Sequence, residues 1–300
     1  MSIVCKNLTY RHGHSALALF SNLDFTICPG TINAILGPNG SGKTTLIKLM
    51  SGIRNPVQGT ITIGTLGSPH QTDVRHTVAT TFDKDGLYAR LTGWENLFFF
   101  GRLYGLSKRH VKTQAEGWLS RWELSAVMKT PISTWSKGMR QKLALIRSLL
   151  ADASVLIFDE SWTGLSEDAR GEFLSHLTTC AKQGKTILFS SHDLTEVVHF
   201  AQHLYVLHQG RLLFEGPTEK ILSPRLLISF EPGCTLPDAD DLKLPYPAYL
   251  ENSQLIIPSI SETEVADIIK YIVNTGYRIF TVQYEKGLES NLKRLLETEE

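Results

Sequence analysis

The chain has 300 residues, 42% of them hydrophobic and 20% charged, which is enough apolar material for one large domain and one small one. Lys+Arg and Asp+Glu number 30 each, so the basic surplus that nucleic-acid binding ordinarily needs is missing and no nucleic-acid partner is expected. Cys5, Cys28, Cys180 and Cys234 are scattered without a C-x-x-C metal spacing, which fits reduced thiols in a cytosolic compartment. The N-terminal MSIVCKNLTYRHG lacks an apolar signal core. Patches such as Leu97–Phe100 and Val155–Phe158 fall far short of the ~18–20 apolar residues of a spanning helix. Any membrane association is therefore expected to go through a partner.

Along the chain, Thr31–Leu36 predicts a buried strand, followed by a Gly-rich turn and a helix from Thr44 to about Met50. The section from Trp94 to Arg147 is helical by pattern and rich in aromatics. Ser154–Phe158 predicts a second strand, ending in Asp159 and Glu160, and Thr186–Ser190 a third, leading to His192. Short apolar runs separated by helices predict a parallel sheet buried on both faces, with ligands at the carboxyl ends of its strands. After Pro217 the texture changes. Residues 231–247 hold Pro232, Pro237, Pro245 and Pro247 among acidic residues and read as a linker loop. A strand over Tyr249–Ile257, a helix capped by Ser261 and Glu264, a strand over Tyr277–Tyr284 and a helix from about Leu288 then predict a small α+β appendage. The expected domains are 1–217, with a helical subdomain at about 90–147, and 218–300.

Gly37-Pro38-Asn39-Gly40-Ser41-Gly42-Lys43-Thr44 matches the P-loop spacing between a strand and a helix. Glycines let the backbone wrap with its N–H groups inward, forming an anion nest at a helix N-terminus, which Thr45 extends. Lys43 is placed to reach the β- and γ-phosphates, and the Thr44 hydroxyl to ligate Mg²⁺. In such a protein the first carboxylate of the second strand, Asp159, helps hold Mg²⁺. The second, Glu160, is placed to polarise the attacking water.

Between these motifs, Trp135-Ser-Lys-Gly-Met-Arg-Gln-Lys142 resembles the signature of the ATP-binding cassette (ABC) family, commonly L-S-G-G-Q. The variant L-S-K-G-M-[KR]-Q looks like ATPase subunits of bacterial drug, antibiotic and ion exporters. The resemblance covers residues 1 to about 217, with motifs in family order. It implies a P-loop α/β cassette: a mostly parallel central sheet, a helical subdomain and an antiparallel β portion. It also implies ATP and Mg²⁺ as cofactors, and a head-to-tail pair of subunits in which Ser136 and Gly138 face the γ-phosphate held by the other subunit. His192 takes the place of the switch histidine that contacts the γ-phosphate.

Four positions depart from the pattern. Trp135 replaces the usual Leu. Asp83 stands where the lid glutamine contacts Mg²⁺, and carboxylate oxygen is an acceptable hard ligand. Ser166 replaces an Asp that couples the two sites. His12 falls at the adenine-stacking position, with Tyr10 on the same strand face, so either ring could stack. The stretch Leu91–Leu106 resembles the part that receives a coupling helix, with Trp94, Phe98, Phe99 and Phe100 as core or contact residues. The resemblance implies an ATP-hydrolysing subunit that powers export through a separate integral membrane permease, peripheral on the cytoplasmic membrane face, as a homo- or heterodimer. Two alternatives stand beside it: a soluble regulatory ABC ATPase, and a weakly hydrolysing partner in a heterodimer.

Overall fold

The computed structural model of the protein describes residues 1–13, 17–231, 242, 244–251 and 253–285. The chain divides into two units, Met1–Gly216 and Pro217–Glu300.

In the first unit, β1 (Ile3–Tyr10), β2 (Phe20–Ile27) and β4 (Gln58–Ile63) form an antiparallel sheet in the order β2-β1-β4. A six-stranded sheet contains β3 (Ile32–Leu36), β5 (Val78–Thr81), β6 (Val155–Asp159), β7 (Thr186–Ser191), β8 (His203–His208) and β9 (Arg211–Pro217), in the order β5-β6-β7-β3-β8-β9. β5, β6, β7, β3 and β8 pair in parallel. The chain returns into β9 through Gln209 and Gly210, at φ 45° and 77°, the left-handed pair that a two-residue hairpin turn requires. Every residue of β3, β6 and β7 is buried, as a sheet covered on both faces demands.

Helices α1 (Lys43–Met50), α2 (Thr72–Arg75), α3 (Gly93–Leu103), α4 (Lys108–Arg121), α5 (Lys137–Leu150), α6 (Glu167–Lys182) and α7 (Leu194–Phe200) link or flank these strands. Three of them, α3, α4 and α5, pack on one another, and α5 also packs on β5. A reciprocal cap starts α3: Thr92 Oγ1 accepts from the Glu95 N–H, and the Glu95 carboxylate accepts from the Thr92 N–H. Among the described residues no helix is long and apolar enough to cross a membrane.

The second unit contains α8 (Thr218–Leu222), β10 (Arg225–Phe230), β11 (Tyr249–Glu251), β12 (Gln254–Pro258), α9 (Val265–Asn274) and β13 (Ile279–Glu285). Its sheet is antiparallel throughout, in the order β11-β12-β10-β13. Ile268 and Ile272 of α9 join Leu226, Ile228, Leu255 and Ile257 in its core.

Two details differ from expectation. Tyr249–Ile257 is a hairpin rather than one strand: Glu251 pairs with Gln254, and Ser253 turns the chain at φ 63°. The helix begins at Val265, four residues later than its cap signal, because the Ser261 N–H and hydroxyl both donate to the Glu264 carboxylate (2.9 and 2.5 Å). That closes a turn ahead of the helix instead of capping it. The final helix from Leu288 and most of the proline-rich linker lie outside the described residues.

Candidate functional site

Three adjacent strands bring the site together. β3 lies beside β7, and β7 beside β6, with Leu36 level with Ser191 and Asp159 level with Ser190. Their carboxyl ends therefore deliver the Gly37–Gly42 loop, the Asp159–Glu160 pair and His192 to one edge. The loop turns into α1 through Gly42, at φ 108°. A Cβ there would meet the Phe20 ring at 2.7 Å, so both conformation and space demand glycine. No acidic residue stands in the first turn of α1, and the first N–H groups of a helix have no intrahelical partner.

Lys43 is buried, with 5% exposure. Its ammonium donates to the carbonyls of Gly37 (2.7 Å) and Pro38 (3.2 Å), and lies 3.3 Å from Glu160 Oε1. The same Glu160 oxygen lies 3.4 Å from His192 Nδ1. Glu160 itself sits at φ 47°, an unfavourable conformation for a side-chain-bearing residue. Its N–H donates to Ser190 Oγ (3.2 Å), whose hydroxyl donates to Asp159 Oδ1 (2.6 Å).

A cavity of about 550 Å³ opens in front of these groups. Its walls include Asn39, Gly40, Gly42, Lys43, Thr44 and Thr45 from the loop and α1, together with Asp159 and Glu160. His12, Leu19 and Asp83 also line it. Gly37 and Pro38 turn their carbonyls to Lys43, Ser41 is buried beneath the loop, and His192 approaches through Glu160. The two candidate stacking rings separate. His12 lines the cavity, with Nε2 3.5 Å from Thr45 Oγ1. Tyr10 is buried behind it, edge-on at 5.2 Å, and its hydroxyl accepts from Arg54 (2.5 Å).

Thr44, Asp83 and Asp159 share this cavity. Among the described residues no three His, Cys, Asp or Glu side chains gather closely enough to hold a metal alone. That donor set suits Mg²⁺, which keeps water and takes phosphate oxygens alongside one or two protein ligands.

The segment around Asp83 is tied to α5. Lys137 Nζ lies 3.7 Å from Asp83, with both side chains exposed. Arg140 Nε donates to Asp85 (3.0 Å), and Arg147 donates to the carbonyls of Asp85 (3.0 Å) and Gly86 (3.2 Å). Burial pulls the Arg147 guanidinium below its ordinary pKa, while Tyr104 and Asp85 pull it back up. Ser161 adds a link that sequence reading missed. Its hydroxyl donates to Thr81 O (2.6 Å) and Asp159 O (3.1 Å), and its carbonyl accepts from Gln141. Ser190 was also missed, although it stood two residues before His192; only the fold shows that it spans the two carboxylate residues.

Comparison with known proteins bears on this geometry. The ABC transporter family profile matches residues 20–163. The ABC transporter ATP-binding protein NatA of Bacillus subtilis (strain 168) is 35% identical over 202 residues, 67% of this chain and 82% of that protein. The chain belongs to the ABC transporter family, as an ATP-binding subunit. It is thus a P-loop ATPase with the cassette fold. The Nod factor export ATP-binding protein I of Burkholderia pseudomallei (strain 1710b) is 33% identical over 247 residues, covering 81% of this chain and 77% of that protein. A solved ATP-binding subunit of an ABC transporter superposes with a TM-score of 0.68 at 27% identity, covering 74% of this chain and 92% of that one.

In this cassette the signature residues stand apart from the cavity. Ser136 caps α5, its hydroxyl accepting from the Met139 N–H (3.2 Å), and neither Ser136 nor Gly138 lines the cavity. The tryptophan in the leucine position has a structural reason. Trp135 is buried against Gly93, where a Cβ would come within 2.8 Å of its ring, and its Nε1 donates to Thr130 (2.9 Å). Ser166 precedes α6 without a side-chain capping bond.

Proposed function

We propose that this subunit energises export of a substrate through a separate membrane permease, and that a second ATP-binding subunit completes each ATP site. One observation carries the reading. The cavity holds Lys43, Thr44, Asp83, Asp159 and Glu160, whereas Ser136 and Gly138 form a capped helix start outside it. A helix N-terminus facing solvent is half of an anion site, and the matching half is the cavity of a second subunit. The name of one relative, the Nod factor export ATP-binding protein I, supports the export direction.

Glu160 lies beside both Lys43 and His192. An entering phosphate competes for the Lys43 ammonium and releases the Glu160 carboxylate to orient water in line with the γ-phosphorus. Lys43 and His192 then face the charge that develops on the γ-phosphate, and fixed groups aimed at that charge supply most of the acceleration. Thr44, Asp83 and Asp159 would hold Mg²⁺, which would neutralise charge on the phosphates. His12 would stack on adenine. The permease would seat on a cavity of about 390 Å³ lined by Tyr88, Ala89, Arg90, Leu91 and Phe99, where Tyr88 and Phe99 are exposed. The subunit would then lie peripherally on the cytoplasmic face of the membrane.

A second reading has its own support. Asp83 is drawn to Lys137, and Ser166 lacks a cap bond, so this chain would be the slower member of a heterodimer.

Glu160→Gln tests the proposal. Steady-state ATP turnover should fall by about 100-fold or more, while ATP still binds and a nucleotide-trapped dimer accumulates. Unchanged turnover sinks the assignment of Glu160. Trapping only in the presence of a different ATP-binding subunit selects the heterodimer.

A further inference from the structure

A second surface on this unit has chemistry that the ATP site does not use. On α3, Trp94 and Phe98 are one turn apart and stack face to face, with centroids 5.5 Å apart and planes within 18°. Both rings are half-buried. Two lysines of the neighbouring helix α4 lie across them. Lys108 Nζ is 5.5 Å from the Phe98 centroid, and Lys112 Nζ is 5.7 Å from that of Trp94. Phe98, Lys108, Arg109, Lys112, Thr113 and Glu116 border a shallow hollow of about 630 Å³ between the helices. Arg102, one turn beyond Phe98, extends the same side of α3.

The charge on this face is one-sided in a chain whose total is zero. No acidic residue occurs between Glu95 and Glu116, while Arg102, Lys108, Arg109 and Lys112 all fall there. Among the described residues none of these four cations pairs with a carboxylate. Glu95 is engaged by the Thr92 N–H and hydroxyl, both at 2.8 Å, which leaves Glu116 as the carboxylate on the rim.

We propose that this α3–α4 face binds the anionic headgroups of a lipid membrane. Flexible cations unmatched by acids complement a negatively charged surface, and each adds attraction without needing a fixed partner geometry. Aromatic rings with lysine stems laid along them suit the boundary between headgroup and acyl chain, where one end of a side chain is wet and the other apolar. An extended peptide would pair with an open strand edge, which this face lacks, since both its elements are helices. The face is distinct from the Tyr88–Phe99 cavity, because residues 94 and 98 point away from residue 99 on a helix, and the proposal stands whatever substrate the permease carries.

The test uses the full chain and sedimentation with vesicles of pure phosphatidylcholine or with about one-third phosphatidylglycerol, at low and high salt. Binding should require phosphatidylglycerol and weaken at high salt. Lys108→Gln and Lys112→Gln should each weaken it about fivefold, and about 25-fold together. Lys182→Gln, at the end of α6, should leave it unchanged, and all these variants should keep the basal ATPase rate. As a second measurement on the unmodified chain, phosphatidylglycerol vesicles should shift the tryptophan emission to the blue, and Trp94→Phe should remove most of that shift. Equal binding to both vesicle types overturns the proposal, as does full binding by the double variant. Tighter binding of polyglutamate through the same lysines overturns it in favour of an acidic polypeptide. Displacement of vesicles by inorganic phosphate at matched ionic strength overturns it in favour of a free-phosphate site.

Discussion

Both units are built on β-sheets, yet among the described residues only the first concentrates chemistry. In the first, β6, β7 and β3 run the same way, so every carboxyl end opens onto one edge and each delivers a polar residue there. In the second, neighbouring strands alternate in direction, so consecutive strand ends fall on opposite edges. One buried polar feature there is an ion pair inside the sheet: Arg225 Nε donates to Glu285 at 2.6 Å, and among the described residues the other Glu285 oxygen has no hydrogen-bond partner. Parallel topology gathers separate segments into a site. Antiparallel topology spends its polar groups on holding strands together.

Breaking that ion pair is the largest test of the contrast. Glu285 is 1% exposed, so Arg225→Ala leaves a buried carboxylate uncompensated and should destabilise the second unit by about 3 kcal/mol. Hydrogen exchange in β10 and β13 should accelerate while ATP affinity is unchanged. A parallel loss of ATP binding would break the separation of roles.

A smaller effect is expected in the first unit from Gly42→Ala. The left-handed backbone and the Phe20 ring together oppose the new methyl, at a strain of about 2 kcal/mol, which by displacing the loop should weaken ATP binding about 30-fold. Isothermal titration with ATP measures it, and native affinity would show that the loop tolerates a different path.

The smallest effect is one the two units should share. Hydrogen bonds from Thr92, its backbone N–H foremost, hold the Glu95 carboxyl below its ordinary value of 4.5, and the Ser261 hydroxyl and N–H do the same for Glu264. A depressed carboxyl pKa stabilises the folded state above the unfolded value, and that contribution disappears as pH falls through the folded value. Acidification below pH 4.5 should therefore loosen the starts of both α3 and α9, seen as faster amide exchange near residues 92–96 and 261–268. Glu95→Gln and Glu264→Gln should each remove the local pH dependence. A response in only one unit would mean that the two carboxylates differ in role despite their like bonding.

The sequence made the cassette core legible because its motifs prescribe backbone behaviour. Gly42 announces a left-handed helix entry, and apolar runs ending in Asp159 and His192 announce strand ends. Elsewhere, pattern alone was insufficient. Strand parity put Tyr10 and His12 on one face, but packing by Arg54 takes Tyr10 into the core and leaves His12 at the cavity. Ser261 and Glu264 have the spacing of a cap, yet the serine hydroxyl donates where a cap would accept. Asp83 was readable as a lid residue from its alignment. Its partner Lys137 comes from a segment 54 positions away and appears only when α5 is laid beside the lid. Ser161 directly follows the Asp159–Glu160 pair, but its hydroxyl bond to Thr81 needs three-dimensional neighbours.

The Lys43–Glu160 contact gives the cleft an internal counter-ion. A buried ammonium waiting alone would suffer the cost of desolvation and would attract any passing anion. Here it already has a counter-ion, so nucleotide arrives by exchange, and its phosphates must outcompete a tethered carboxylate. Anions with one or two oxygens are poor competitors in that exchange, while a triphosphate presents many. An exchange of that kind would favour an anion of high valence over a small one.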